Sequence, residues 1–259
     1  MRTQNGESVL ARAVRIFEAF TPEEPALTVS EISRRTGLHV ATASRLVAEL
    51  VSHDFLARDG DRRVRIGMRM WELVTRASPA VSLRDAAMPF MEGVHDVVGH
   101  HVQLGVLDGD EVLFLERLSA PGAVINYTRI AGRLPLHASS SGLVLLAHGP
   151  ADLRERVLSE PLHRYTSNTP TTPARLRAIL ADIRQQGFAC CPGYVHPDAF
   201  GIAAPVRDSG GTVVATLSVI VPNEDGATSV VPVVRTAARG ISHALGAPLR
   251  PTWSSSLTH

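Results

Sequence analysis

The sequence predicts an α+β fold in which a small helical unit with a β-hairpin precedes a larger unit built on a mostly antiparallel sheet. Three observations carry this prediction. Two short helical patterns abut across Gly37 and are followed by an arginine-rich hairpin. Two more hairpin signatures, around Asp108–Glu111 and Asp208–Gly211, have helical patterns placed between them, which favours local antiparallel pairing over a parallel sheet. The 259 residues, 44% of them hydrophobic, suffice for one large domain or two ordinary ones.

In the first unit, Leu10, Ala13, Val14 and Phe17, with Phe20 beyond, follow the i, i+3, i+4, i+7 spacing of an amphipathic helix, which Pro22 and Pro25 end. Thr28-Val-Ser-Glu31 is a capping box, predicting a helix from Val29 to Thr36 with Gly37 as its left-handed terminator. A third helix runs from about Val40 to Val51 and buries Ala43, Leu46, Val47 and Leu50. Two helices joined by so short a glycine-containing turn make a helix-turn-helix. Phe55–Arg58 and Arg62–Ile66, joined at Asp59-Gly60-Asp61, add a hairpin with an Asp-Gly turn, completing the order of a winged helix-turn-helix. An amphipathic stretch from Met68 to Val74 leads to Ser78-Pro79 as an interdomain joint.

In the second unit, Leu83, Ala87, Phe90, Val94 and Val98 share one face of a helix that Pro89 kinks. Val102–Leu107 pairs with Val112–Leu115, and Val124–Arg129 is a further extended run. A short helix starts near Ser139, and a longer one at Thr172-Pro173 buries Leu176, Ile179, Leu180 and Ile183 before Gly187. Gly201–Val206 pairs with Thr212–Val221, and a last helix buries Val234, Ala237, Ile241 and Leu245.

Composition excludes several classes. No apolar run approaches the roughly 18 residues of a membrane span. The start, Met1–Gly6, lacks a signal-peptide stretch, and two adjacent cysteines form no disulfide framework, so the expected location is cytoplasmic. Net charge is only +1, and every basic residue is arginine, which reads as background usage.

These motifs, in this order, resemble the IclR family of bacterial transcription regulators. The resemblance covers Val9 to Gly246. It rests on Leu27–Ile32, Arg35–Leu38, Thr42, Arg45-Leu46 and the Arg62–Gly67 arm, then on Arg133–Ser139, Gly142, Ile202–Val206 and Leu217–Val219. It implies a DNA-binding homodimer or homotetramer with a GAF-like C-terminal domain that senses a small molecule, often an organic or aromatic acid. The expected division is a winged helix-turn-helix at 1–67, a linker helix at 68–83, a GAF-like effector domain at 84–248 and a flexible tail at 249–259.

A helix-turn-helix places its second helix in the major groove of double-stranded DNA. With the apolar face inward, Ala41, Thr42, Arg45 and Glu49 face outward. Arg45 is the candidate for bidentate guanine contact, Thr42 for a base, a thymine methyl or a phosphate, and His39 and Ser44 for phosphate. Arg62, Arg63 and Arg65 on the wing meet phosphate or the minor groove, while Arg34 and Arg35 support packing or phosphate contact. Many family members carry basic or hydroxyl residues where this chain has Val40 and Ala41, which suggests a more apolar, methyl-reading interface.

In Leu136–Gly142, the serines fall where a helix begins, and its unpaired N–H groups favour an anion. A carboxylate effector then lies across Ser139, Ser140 and Ser141; for Ser139 the alternative is an N-cap without ligand. By resemblance the pocket also draws on Asn126, Leu134, Cys191, Gly201 and Ser218, the last being equally well a structural hydroxyl. Relatives often place an acid near Cys191, a cysteine at Gly201 and a lysine at Leu143. This chain has none of these, and its loop Cys191–Phe200 carries Tyr194, His196 and Phe200 toward the ligand. The expected effector is accordingly a hydrophobic or aromatic carboxylate rather than a two- or three-carbon acid.

No Gly-x-Ser-x-Gly elbow accompanies the serines near His137, so an enzyme is not expected, and neither a cofactor nor a metal is called for. The rival is a thiol- or metal-responsive regulator using Cys190, Cys191 and His196, although no regular ligand spacing supports it. In the leading reading, effector binding acts on the DNA heads through the Met68–Arg84 connection by favouring one of two states.

Overall fold

The computed structural model describes residues 7–126 and 128–247; residues 1–6, Tyr127 and 248–259, with the expected tail, lie outside the described residues. The chain divides between Val81 and Ser82 into two compact units.

The first unit starts with helix α1 (Val9–Glu18), capped by Ser8, whose Oγ accepts from the Ala11 N–H at 3.0 Å. The two-residue strand β1 (Ala26–Leu27) leads into α2 (Val29–Thr36). The capping box forms as expected: the Glu31 N–H donates to Thr28 Oγ1 (3.2 Å) and the Thr28 N–H to Glu31 Oε2 (2.8 Å). Gly37 takes φ 67°, ending α2 and turning the chain into α3 (Val40–Ser52). Strands β2 (Leu56–Arg58) and β3 (Val64–Ile66) form the wing, and β1 joins them in the antiparallel order β1-β3-β2. Helix α4 (Met68–Ala77) completes the unit.

Three details differ from expectation here. Strand β1 is too short to show a period of two in sequence. The wing turn is shifted by one residue from Asp59-Gly60-Asp61 and takes Arg62 out of the second strand: the Arg62 N–H donates to the Asp59 carbonyl, and Arg62 is left-handed, at φ 60°. The third is the inward face of α1. Ile16 is fully buried, with Phe17 and Phe20 packed against the same core, whereas Leu10 and Val14 are exposed.

The second unit is a six-stranded sheet flanked by helices on both faces. Helix α5 (Pro79–Val98) spans the division between the units and continues through Pro89. Strands β4 (His101–Asp108), β5 (Glu111–Leu118) and β6 (Arg133–Pro135) precede α6 (Ser140–His148), α7 (Ala151–Ser159) and α8 (Pro173–Gln186). Strands β7 (Ala189–Pro192), β8 (Ala199–Arg207) and β9 (Val213–Pro222) follow, then α9 (Val231–Ala244). The order is β6-β5-β4-β9-β8-β7, and every neighbouring pair is antiparallel.

Alternation sorts the side chains between the two faces. Val102, Leu104, Ile202, Ala204, Leu217 and Val219 pack against α5 and α9, on which Leu83, Ala87, Met91, Val234, Ala238 and Ile241 are buried. On the other face, Val112, Phe114, Cys191 and Ala203 pack with α6 and α8. Position 90 was expected inward, but Met91 takes the fully buried place and Phe90 packs at the margin. The run Val124–Arg129 is not a strand in its described residues; it belongs to the β5–β6 loop.

Candidate functional site

The outer face of α3 exposes Val40, Ala41, Ser44, Arg45, Ala48 and Glu49, with Thr42 half-buried. His39 is the N-cap, its Nδ1 accepting from the Ala41 N–H at 3.3 Å, so this imidazole is tied to the start of the helix. Arg62 and Arg65 are exposed on the wing. Arg63 differs: its Nε and Nη2 donate to the Ala26 carbonyl at 3.2 and 2.7 Å, and Nη2 lies 3.8 Å from Glu31. It braces strand β1 against the wing, a role not foreseen. Arg35 likewise supports packing, donating to the Ala19 carbonyl at 2.9 Å and pairing with Glu24.

The second constellation is a cavity of about 50 Å³ between the sheet and the start of α6. Asn126, Leu134, Ser139, Ser140, Ser141, Cys191 and Gly201 all line it, as do Tyr194 and His196. The strands bring two distant stretches together through their register. Cys191 pairs with Gly201 and Gly201 with Ile220, while Ala203 pairs with Ser218 and Ser218 with Gln103. Ser218 is fully buried behind the wall, where its Oγ accepts from Ser141 Oγ at 2.9 Å.

Helix α6 contributes its N-terminus. Ser139 caps it, Oγ accepting from the Gly142 N–H at 3.0 Å, so that hydroxyl lone pair is engaged within the protein. The N–H groups of Ser140 and Ser141 belong to the first turn, which has no preceding helical carbonyls to bond and therefore favours an anion.

The β5–β6 loop contributes Ile125, Asn126 and Thr128 to the cavity. His101 Nε2 donates to the Val124 carbonyl at 2.6 Å, and since a carbonyl only accepts, Nδ1 is left to accept from Ser119 Oγ at 2.9 Å. Burial lowers the His101 pKa, keeping this imidazole neutral. Arg117 donates to the Thr128 carbonyl. On the opposite side, Thr166 Oγ1 and Thr169 Oγ1 hold the carbonyls of Gly193 and Tyr194, each at 2.6 Å, fixing the segment that presents Tyr194, Val195 and His196.

Phe200 is a correction: it faces the α5 and α9 side, in that core, because it follows the alternation of β8 and points opposite to Gly201. Gln103, Phe114, Thr128, Ala138 and Ile220 line the cavity without having been singled out in the sequence. Gln103 carries a signal, a polar residue set between Val102 and Leu104 in the apolar middle of β4.

The thiols do not form a centre. Consecutive on β7, Cys190 packs on the α5–α9 side and Cys191 on the cavity side. Burial pushes both thiols up, Cys191 strongly, which disfavours the reactive, metal-binding thiolate. Among the described residues, no three His, Cys, Asp or Glu side chains are grouped to hold a metal.

Comparison with known proteins gives the architecture its place. The model of the bacterial transcriptional regulator IclR C-terminal domain matches residues 76–243, and that of the IclR helix-turn-helix domain matches residues 9–60. This chain belongs to the IclR family. Its members are transcription regulators rather than enzymes, with a DNA-binding helix-turn-helix domain and a small-molecule effector domain. The HTH-type transcriptional regulator XynR of Escherichia coli K12 is 30% identical over 80% of this chain and 83% of its own length. The Pca regulon regulatory protein of Pseudomonas putida is 27% identical over 91% of this chain and 83% of its own. An IclR homolog from Microbacterium hydrocarbonoxydans, crystallised in complex with 4-hydroxybenzoate, is 49% identical with a TM-score of 0.88, over 92% of this chain and 99% of that one. No helix among the described residues is long and apolar enough to cross a membrane.

Proposed function

We propose that this IclR-family regulator responds to a hydrophobic or aromatic carboxylate bound in the cavity at the start of α6. One observation carries the proposal: an anion-favouring helix N-terminus opens into a space whose other walls include Phe114, Leu134, Tyr194 and Ile220. The 4-hydroxybenzoate held by the Microbacterium homolog supports the same class. The effector contacts are Asn126, Leu134, Ser139, Ser140, Ser141, Cys191 and Gly201, with Ser218 supporting Ser141 from behind. Calorimetric titration with benzoates, pyruvate and glyoxylate tests this; pyruvate or glyoxylate as the tightest ligand rejects it.

The DNA surface consists of His39, Ala41, Thr42, Ser44 and Arg45 at the start of α3, with Arg62 and Arg65 on the wing. Residues 1–67 read DNA, 68–83 link and 84–248 sense, in a protein that acts on cytoplasmic DNA. Exposed apolar residues on α1 (Val9, Leu10, Val14) and on α4 (Met68, Trp71, Val74) favour a homodimer, since such faces are costly to leave in water. Light scattering that gives a monomer at micromolar concentration rejects this part.

A further inference from the structure

A line of side-chain hydrogen bonds along the cavity wall runs in one direction. Ser141 Oγ donates to Ser218 Oγ (2.9 Å), and Ser218 Oγ donates to Gln103 Oε1 (3.4 Å). Gln103 Nε2 then donates to Thr128 Oγ1, which donates to Asn126 Oδ1 (2.8 Å). The direction at the far end does not depend on how the hydroxyls rotate. The Thr128 backbone N–H, which can only donate, points at the same Asn126 atom from 3.0 Å, so that atom is the carbonyl oxygen. The remaining polar atom of Asn126, Nδ2, is buried with no hydrogen-bond partner, in a residue that lines the cavity. Ser141, Ser218, Gln103 and Thr128 are themselves buried, so the chain is shielded from water along its length. A buried amide N–H with no acceptor is an uncommon arrangement that folding alone does not favour.

The geometry points to Asn126 Nδ2 as a hydrogen-bond donor to the effector, locked in that sense by Thr128 and Gln103 as positioning residues. This rests on the cavity being the carboxylate site. Ser141 lies in the first turn of α6 and Asn126 in the β5–β6 loop, with Ser218, Gln103 and Thr128 between them. A carboxylate on the helix therefore leaves Asn126 to a second group of the same ligand. The effector class narrows to aromatic acids bearing a second oxygen acceptor, such as a ring hydroxyl, in preference to the unsubstituted acid.

Calorimetry on the full chain with benzoate, 3-hydroxybenzoate and 4-hydroxybenzoate tests this. The expected result is about tenfold tighter binding of one hydroxybenzoate than of benzoate, a ratio equivalent to one hydrogen bond. Asn126→Leu brings that ratio to about one, with an unchanged midpoint in denaturant unfolding as proof of an intact fold. Thr128→Val lowers the ratio, and Thr128→Ser restores it. A ratio near one in the unmodified protein overturns the inference, and so does an equal loss of both acids in Asn126→Leu, which makes Asn126 structural. If the unmodified protein binds none of the three acids, the carboxylate reading of the cavity fails and this inference fails with it.

Discussion

Gly201 lies so close beneath Ser140 that a Cβ at position 201 would stand 3.0 Å from Ser140 Oγ. The contact sets how near strand β8 comes to the first turn of α6, and both residues line the cavity. Gly201→Ala is expected to displace the Ser140 hydroxyl at the place proposed for the carboxylate. The expected result in calorimetry is a loss of about tenfold in effector affinity, while denaturant unfolding changes by less than about 1 kcal/mol because Ser140 can turn aside. Undiminished affinity would place the ligand away from α6.

On the DNA side, Arg45 and the wing arginines carry different expectations. Arg45→Ala weakens specific binding and relaxes base preference, at a cost of about 1–3 kcal/mol at one position of the site. Arg65→Ala weakens all sequences alike and lowers the salt slope by about one. Equal losses on specific and random DNA for Arg45→Ala would remove it from base readout.

Arg63 belongs with stability instead. Its two hydrogen bonds to the Ala26 carbonyl hold β1 to the wing, so Arg63→Ala is expected to destabilise the chain by about 1 kcal/mol. Chemical denaturation measures that directly. A variant of unchanged stability that loses affinity for every DNA tested would return Arg63 to the phosphate-contacting group.

Acid should weaken the fold before the carboxylates titrate. Burial, with Arg207 and Arg184 nearby, lowers the His148 pKa from 6.5 to about 4, and burial also lowers those of His101 and His137. A neutral imidazole in the folded state and a protonated one in the unfolded state means that unfolding takes up protons below pH 6.5. Stability is therefore full above that pH and declines as pH falls from 6.5 toward 4. Thermal melts across this range should show a falling midpoint, and His148→Leu should flatten the fall.

Much of the fold is legible in the sequence wherever local chemistry and periodicity agree. The Thr28–Glu31 capping box, Gly37, the Thr172-Pro173 start of α8 and Gly187 each mark a boundary by a mechanism that needs no tertiary partner. What escaped depends on the rest of the chain. Helix α7 buries only Leu153 and Leu158 and carries no apolar stripe, while β7 reads Ala-Cys-Cys-Pro, with no β-branched residue. The Val124–Arg129 run has strand composition, yet Asn126 Oδ1 takes the Thr128 N–H and bends it into a loop. On α1 the apolar residues outnumber what one face can bury, so periodicity alone chose Leu10 where packing chose Ile16. For the cavity, the serines of α6 announce themselves, but Gln103 and Thr128 meet across 25 residues, and only the sheet order makes them neighbours.

The two cysteines stand back to back on β7, one on each side of the sheet. They amount to a paired reporter already present in the chain. A slow alkylating reagent followed by mass spectrometry should find Cys191 shielded when a small acid fills the adjoining space, whereas Cys190 keeps a constant labelling rate and serves as the internal standard.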